Sequence, residues 1–146
     1  MRIVAFDVGA QRTGVAVSDA TQTLASPHGV LRGAHVLHEA LAVIRAFDAE
    51  DGVEAIVVGL PLRLDGEPTE QTPRCRAFAG ALATRLSIPI HLQDERLTSV
   101  DADERLSVTD RDWRSRKAKL DAAAAAIILQ DFLDARARAR DIAARD

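Results

Sequence analysis

The sequence predicts an α/β domain on a mixed five-stranded sheet, in the order βββαβαβαα, with helices on both faces. Three observations carry this. The chain opens with three short β-branched or apolar runs joined only by turns, which makes an antiparallel flank. Two further strand-like runs alternate with helical periodicity, the pattern of parallel crossovers. The length of 146 residues, 47% of them hydrophobic, suits one core and leaves little room for a second.

Residues 2–8, 13–19 and 24–31 read as the opening strands, bounded by Gly9-Ala10-Gln11-Arg12 and Asp19-Ala20-Thr21-Gln22. Leu37, Leu41, Ile44 and Phe47 then recur at helical spacing, and Gly52 supplies the stop. Ala55-Ile56-Val57-Val58-Gly59 is a continuous apolar run, as expected of a strand covered on both faces. Leu60 to Pro68 is a loop. A second helix carries Cys75, Phe78, Ala79, Leu82 and Leu86 on one side and leads into a strand from Ile88 to Leu92. Thr98 is placed to cap a short helix ending near Leu106, and an alanine-rich helix runs from about Lys119 beyond Leu133. A single domain is expected over 1–140. The tail from Ala135, and 141–146 above all, is expected to fray.

Composition narrows the function. The longest apolar stretch, Ala122 to Leu129, is too short to span a membrane. Met1 is followed almost at once by a strand-like run, without the basic leader, apolar stretch and cleavage site of a secretory signal, so the expected location is the cytoplasm. Cys75 is the only cysteine, which rules out an internal disulfide and a thiolate zinc cluster; its place on an apolar stripe makes it a small buried hydrophobe. A net charge of −3 argues against a generally cationic nucleic-acid binder, but the charge is uneven. Arg111, Arg114, Arg116, Lys117 and Lys119 crowd together before Asp121, where cations would neutralise backbone phosphates and fix a strand's register. Arg12 and Arg96 are further phosphate-binding candidates. With no tyrosine and Trp113 as the sole tryptophan, recognition should rest on backbone and shape.

Three acids stand where an apolar element ends or begins: Asp7, Glu95 and Asp121. An ionised carboxylate in apolar surroundings is costly unless paired or metal-bound, so these say more than acids on a polar face. Converging, they would form an oxygen cage suited to Mg²⁺ or Mn²⁺. Blander roles exist for each: Asp7 can begin an Asx turn before Gly9, and Asp121 can serve only as a helix N-terminal charge, a place favoured by about 0.3–1 kcal/mol. Asp94 competes with Glu95, but neighbours on an extended chain point to opposite faces, and Glu95 is the choice. Asp19, Asp101, Asp103 and Glu104 read as solvated, with Asp19 a minor candidate beside the site. His35 and His38 read as a surface pair and His91 as an inert strand histidine.

Four segments, in order, resemble the signatures of the YqgF-type nucleases. They are Asp7-Val8-Gly9-Ala10-Gln11-Arg12-Thr13-Gly14-Val15-Ala16-Val17-Ser18-Asp19; Ile56-Val57-Val58-Gly59-Leu60-Pro61-Leu62 with Asp65-Gly66; Asp94-Glu95-Arg96-Leu97-Thr98-Ser99; and Asp121-Ala122-Ala123-Ala124 with Ile128-Leu129-Gln130. That family is described as pre-16S rRNA nucleases and, under an older name, Holliday junction resolvases. The resemblance implies an RNase H-like fold with Asp7, Glu95 and Asp121 as catalytic carboxylates. Gln11 and Arg63 depart from the family's usual lysine and asparagine, in loops near the presumed substrate groove.

The implied chemistry is metal-dependent phosphodiester hydrolysis, with two ions about 3.5–4 Å apart. Asp7 would bridge both ions, Glu95 would hold one from a neighbouring strand end and Asp121 the other from the start of the last helix. The favoured substrate is precursor 16S rRNA. Structured DNA is the alternative, and junction resolution would require a homodimer with paired sites. Two readings from other classes stand beside it. One is a non-catalytic nucleic-acid-binding module; the other rests on Asp7-x-Gly9 and Arg12-x-Gly14, which also look like the phosphate hairpin of actin-like and sugar kinases.

Overall fold

Alternation along β1 (Arg2–Val8) sends Val4, Phe6 and Val8 to one face of the sheet and Ile3 and Ala5, in register with Asp7, to the other. The structure is a computed structural model describing residues 1–33, 35–95 and 113–145, with helical backbone alone at 113–119 and 145. β2 (Arg12–Ser18) pairs antiparallel with β1, and β3 (Ala25–Arg32) antiparallel with β2. On the other side of β1, β4 (Val53–Leu60) and then β5 (Ile90–Asp94) add in parallel, giving the order β3-β2-β1-β4-β5. The mixed sheet therefore has the expected antiparallel flank and parallel crossovers.

Two helices cover one face. α1 (Val36–Glu50) and α2 (Thr72–Arg85) pack Ile44, Phe78 and Leu82 against Val4, Phe6 and Val58. Phe6 and Phe78 meet edge to face, with ring centroids 5.4 Å apart. α3 (Trp113–Arg145) covers the opposite face with Ala125, Ile128, Leu129 and Leu133. The sheet offers it small residues, Ala5, Ala16 and Ala55, so the helix axis lies close to the strands. Burying the side chain of Leu129 or Ile128 there is worth about 1.5–3 kcal/mol.

Several boundaries differ from expectation for identifiable reasons. α3 starts at Trp113 and not near Lys119, because no glycine or proline interrupts the chain from there to Arg145 and alanine, arginine and leucine all favour helix. Its 33 residues make a rod of about 50 Å, helical into the 141–146 tail, where 141–144 are exposed. β5 is displaced to Ile90–Asp94, following Pro89, whose carbonyl accepts a 2.9 Å bond from Ile56 N–H. Asp19 is not merely solvated. Its carboxylate accepts from the Thr23 and Leu24 amides at 2.9 and 3.2 Å and from the Thr21 and Thr23 hydroxyls at 2.8 and 3.0 Å, which holds it well below the usual carboxylate range. It closes the β2–β3 turn, at the end of the sheet opposite Asp7. Arg96, Thr98, Asp101, Asp103, Glu104, Arg111 and the expected helix to Leu106 lie outside the described residues. Arg114, Arg116, Lys117 and Lys119, with Trp113, fall on the first turns of α3, but their side chains lie outside the described residues.

Candidate active site

Two glycines bring the three acids together. Asp7 occupies the exit of the central strand β1, and its partner across the ladder is Gly14 on β2. A Cβ built on Gly14 would lie 2.0 Å from the carbonyl oxygen of Asp121 and 2.6 Å from its carbonyl carbon. Only the missing side chain allows α3 to press its Asp121 turn against the strand beside Asp7. The second glycine is Gly59 on β4. Its Cβ would lie 2.6 Å from Glu95 Oε1 and 2.8 Å from Ile128 Cδ1, so the Glu95 carboxylate lies over the bare backbone of β4. Glu95 follows β5, which is separated from β1 by β4. It therefore reaches back across one strand to Asp7 and does not sit on an adjacent strand, as the sequence reading had it.

Glu95 and Asp7 share a hydrogen bond, and Asp121 acts on Asp7 through its charge. Burial, reinforced by the neighbouring Asp7 charge, pushes the Glu95 carboxyl up to about 8. Burial also raises Asp7; the hydrogen bond from Glu95 opposes that rise and the charge of Asp121 adds to it. The proton thus resides on Glu95, which donates to Asp7. Of the adjacent acids Asp94 and Glu95, it is Glu95 whose carboxyl meets Asp7.

Asp121 is held differently from the sequence expectation. It stands eight residues after Trp113, more than two turns inside α3, beyond the reach of the helix dipole. Arg12 supplies the compensating charge, with Nε 3.2 Å from Asp121 Oδ2 in a partly exposed ion pair. That same Oδ2 is buried and accepts no hydrogen bond. Among the described residues no three His, Cys, Asp or Glu side chains stand close enough to hold one metal ion as a group. The arrangement is an acid pair with a third acid beside it, not a closed cage. His91 packs on Phe132, with centroids 5.3 Å apart, and plays no part in the cluster.

Sequence reasoning named the three acids and Arg12 but missed Gly14 and Gly59 as the positions that let the acids meet. The available signal was a glycine inside each of two otherwise apolar strands, a mark of close backbone approach.

A family model described as RuvX, Holliday junction resolvase, matches residues 1–135. A protein of Chloroflexus aurantiacus named "Putative pre-16S rRNA nuclease" is 45% identical over 134 residues, covering 92% of this chain and 87% of its own. A protein of the same name from Maridesulfovibrio salexigens is 41% identical over 136 residues, covering 91% and 98%. Among solved structures, Thermus thermophilus RuvC in complex with a Holliday junction substrate superposes with a TM-score of 0.54 at 17% identity, covering 93% of this chain and 95% of that one. The last likeness is one of fold, the RNase H-like mixed sheet.

Proposed function

The chain belongs to the RuvX family of nucleases, and from that premise we propose that it trims precursor 16S rRNA with Asp7, Glu95 and Asp121 as the carboxylates of a divalent-metal centre. The observation that carries this reading is the contact between Asp7 and Glu95. Two acids, one on β1 and one just past β5, share a proton at one end of the sheet, a third acid beside them raises Asp7 further, and the fold has no use for that repulsion.

The residues present fit Mg²⁺ or Mn²⁺. The donors are all carboxylate oxygens, as hard cations prefer, and Asp121 Oδ2 is buried without a hydrogen-bond donor. The lack of a three-ligand cage is consistent, because such ions take one or two carboxylates each and complete their shells with water and substrate phosphate. Bound there, a pair of ions would supply an activated water and neutralise charge on the leaving oxygen.

The chain's own residues prepare the site. Asp7 presents its carboxylate from the central strand of the sheet, whose Ile3 to Phe6 are fully buried. Glu95 holds the proton that joins the acid pair, and with that proton removed it would be free to hold a divalent cation together with Asp7. Arg12 restrains Asp121 through their ion pair and would turn to a backbone phosphate once that acid is otherwise neutralised. Arg96, Arg114, Arg116, Lys117 and Lys119 would extend the phosphate contact. Among the described residues no helix is long and apolar enough to cross a membrane. Precursor rRNA as substrate puts the enzyme in the cytoplasm.

A cleavage panel tests the reading: precursor 16S rRNA, single-stranded DNA and four-way junctions, each with Mg²⁺ and with Mn²⁺. Precursor RNA should be cut with either ion, and Asp7→Asn and Glu95→Gln should abolish cutting while leaving thermal unfolding cooperative. Preferential cutting of junctions would replace the substrate and keep the chemistry. Full activity of Asp7→Asn would remove the site.

A further inference from the structure

Among the described residues three polar side chains are buried, and two of them are fully used. Ser18 Oγ accepts from Ile3 N–H at 2.8 Å and donates to Asp19 O at 2.9 Å. Thr72 Oγ1 donates to Pro61 O at 2.5 Å and accepts from Thr69 N–H at 2.8 Å. Thr13 is the third, only 1% exposed, and among the described residues nothing hydrogen-bonds its hydroxyl. A buried hydroxyl without a partner needs a reason. Alternation along β2 sends Thr13 to the side of Val15 and Val17, where α1 and α2 pack, and there it lines a cleft of about 240 Å³.

The donors around this cleft suit an anion. Val36 and Leu37 line it from the first turn of α1, where helix N–H groups have no acceptor within the helix and no side chain caps them. Arg74 lines it from the first turn of α2, and only one of its five N–H donors is given to Gln71 Oε1. Among the described residues Arg74 is the sole charge in the lining, and no carboxylate opposes it. A helix N-terminus, a guanidinium and a hydroxyl together match the oxygens of a phosphate. The cleft also adjoins the acids. Thr13 pairs with Val8 on the rung next to that of Asp7 and Gly14, so cleft and acid pair lie on opposite faces of one strand end, one rung apart. The Cys75 thiol, whose Sγ lies 3.7 Å from Val8 O, senses both sides: burial pushes it up to about 11, the charges of Glu95 and Asp7 add to the rise and that of Arg74 opposes it.

We propose that this cleft seats a phosphate group of the bound nucleic acid beside the one that is cut: Thr13 and Arg74 donate to its oxygens, and the amides at the start of α1 complete the shell. A strand crossing the rim of β1 at Val8 and Gly9 would present one phosphate to the acids and a neighbour to the cleft. Such a contact carries no base information and sets the register of the strand. This rests on the nuclease reading above and adds the means by which the enzyme would choose which linkage meets the acids.

The test uses the full chain and a precursor-derived RNA oligonucleotide in which one linkage at a time is an uncharged methylphosphonate. With the parent, neutralising one linkage near the cut should weaken binding about tenfold. Thr13→Val and Arg74→Gln should each bind the fully charged RNA about tenfold more weakly, with no further loss on neutralising that linkage, and Thr13→Ser should restore parental binding. Inorganic phosphate added to the metal-free protein should shift the Val36 and Leu37 amide resonances in the parent but not in Thr13→Val. The unfolding midpoint of Thr13→Val should not fall; a fall would show the hydroxyl already satisfied and overturn the premise. RNA ending in a 5′-phosphate or a 5′-hydroxyl separates the two sources of the group: dependence on Thr13 that vanishes with the 5′-hydroxyl would assign the cleft to a chain end and overturn its place beside the cut. If the parent cuts RNA and Thr13→Val keeps the parental affinity and neutralisation profile, the phosphate cleft is refuted and the nuclease reading stands. Should the parent cut nothing while phosphate still shifts the two amides through Thr13, the nuclease reading fails and the cleft stands as a phosphate site. Absence of both cutting and amide shifts overturns both.

Discussion

Adding a single methyl group at position 14 should damage this protein more than its size suggests. In Gly14→Ala the new Cβ would lie 2.0 Å from the Asp121 carbonyl oxygen, where ordinary contact begins at 3.4 Å, so that part of α3 must retreat by about 1.4 Å. The obstacle is backbone, with no flexible side chain to swing aside. Overpacking of this kind costs about 1–3 kcal/mol, and the rigid neighbour argues for the upper half. Loss of unfolded-chain freedom on going from glycine to alanine returns only about 0.4–1 kcal/mol, so strain wins. At roughly 2–4 °C per kcal/mol for a domain of this size, scanning calorimetry should show a midpoint lower by about 3–8 °C. The moved turn carries Asp121, and a displacement of about 1 Å in a catalytic group costs on the order of 100-fold in rate. Single-turnover cleavage at saturating Mn²⁺ should fall by about that factor. A variant that unfolds within 1 °C of the parent and cuts within twofold of its rate would refute the claim that helix-to-strand contact at Gly14 positions the site.

Other outcomes follow from the same geometry. Arg12→Ala should raise KM more than it lowers kcat and reduce the slope of log affinity against log salt by about one; an unchanged slope would show that Arg12 never meets phosphate. The metal-free protein should lose stability as pH rises. Glu95 has a folded pKa raised to about 8 from 4.5, so its contribution is fully present below about 4.5 and is lost on passing through 8. With solvent screening allowed for, that loss is on the order of 1–2 kcal/mol, visible as a falling unfolding midpoint from pH 5 to 9 in EDTA, cancelled by Mg²⁺ and absent in Glu95→Gln. A midpoint that climbs over that range would contradict the shared proton. Thr72→Val should leave the Pro61 carbonyl and the Thr69 amide without their partner, at about 1–3 kcal/mol, measurable by urea denaturation.

Much of the fold was legible because strand and helix periodicities differ. The alternation Val4, Phe6, Val8 against Ile3, Ala5, Asp7 fixes which face of β1 each residue takes, and the continuous run Ala55 to Val58 marks β4 as covered on both sides. α3 starts six residues before the position its apolar periodicity predicts, because a basic, tryptophan-containing segment lacks that periodicity while still favouring helix. Among candidate residues, Asp7, Glu95 and Asp121 stood out by the apolar character of their neighbours. The pairing of Asp121 with Arg12 did not, since residues 12 and 121 have no sequence relation and meet only because β2 lies under α3. The reach of Glu95 across β4 was equally hidden: strand order, unlike strand identity, depends on how helices cross the sheet. The turn-organising role of Asp19 is hidden in sequence, because a carboxylate that closes its own turn looks there like any exposed acid.

The bare backbones at Gly14 and Gly59 also bear on transplanting this centre into another scaffold. A designer who copied three carboxylates would import mutual repulsion with nowhere to put it, because each of two acids needs an opposing rung stripped to hydrogen. The smallest portable unit is therefore five positions, two of them defined by what they lack, and a host sheet with valine at either rung would have to be hollowed out before it could accept the graft.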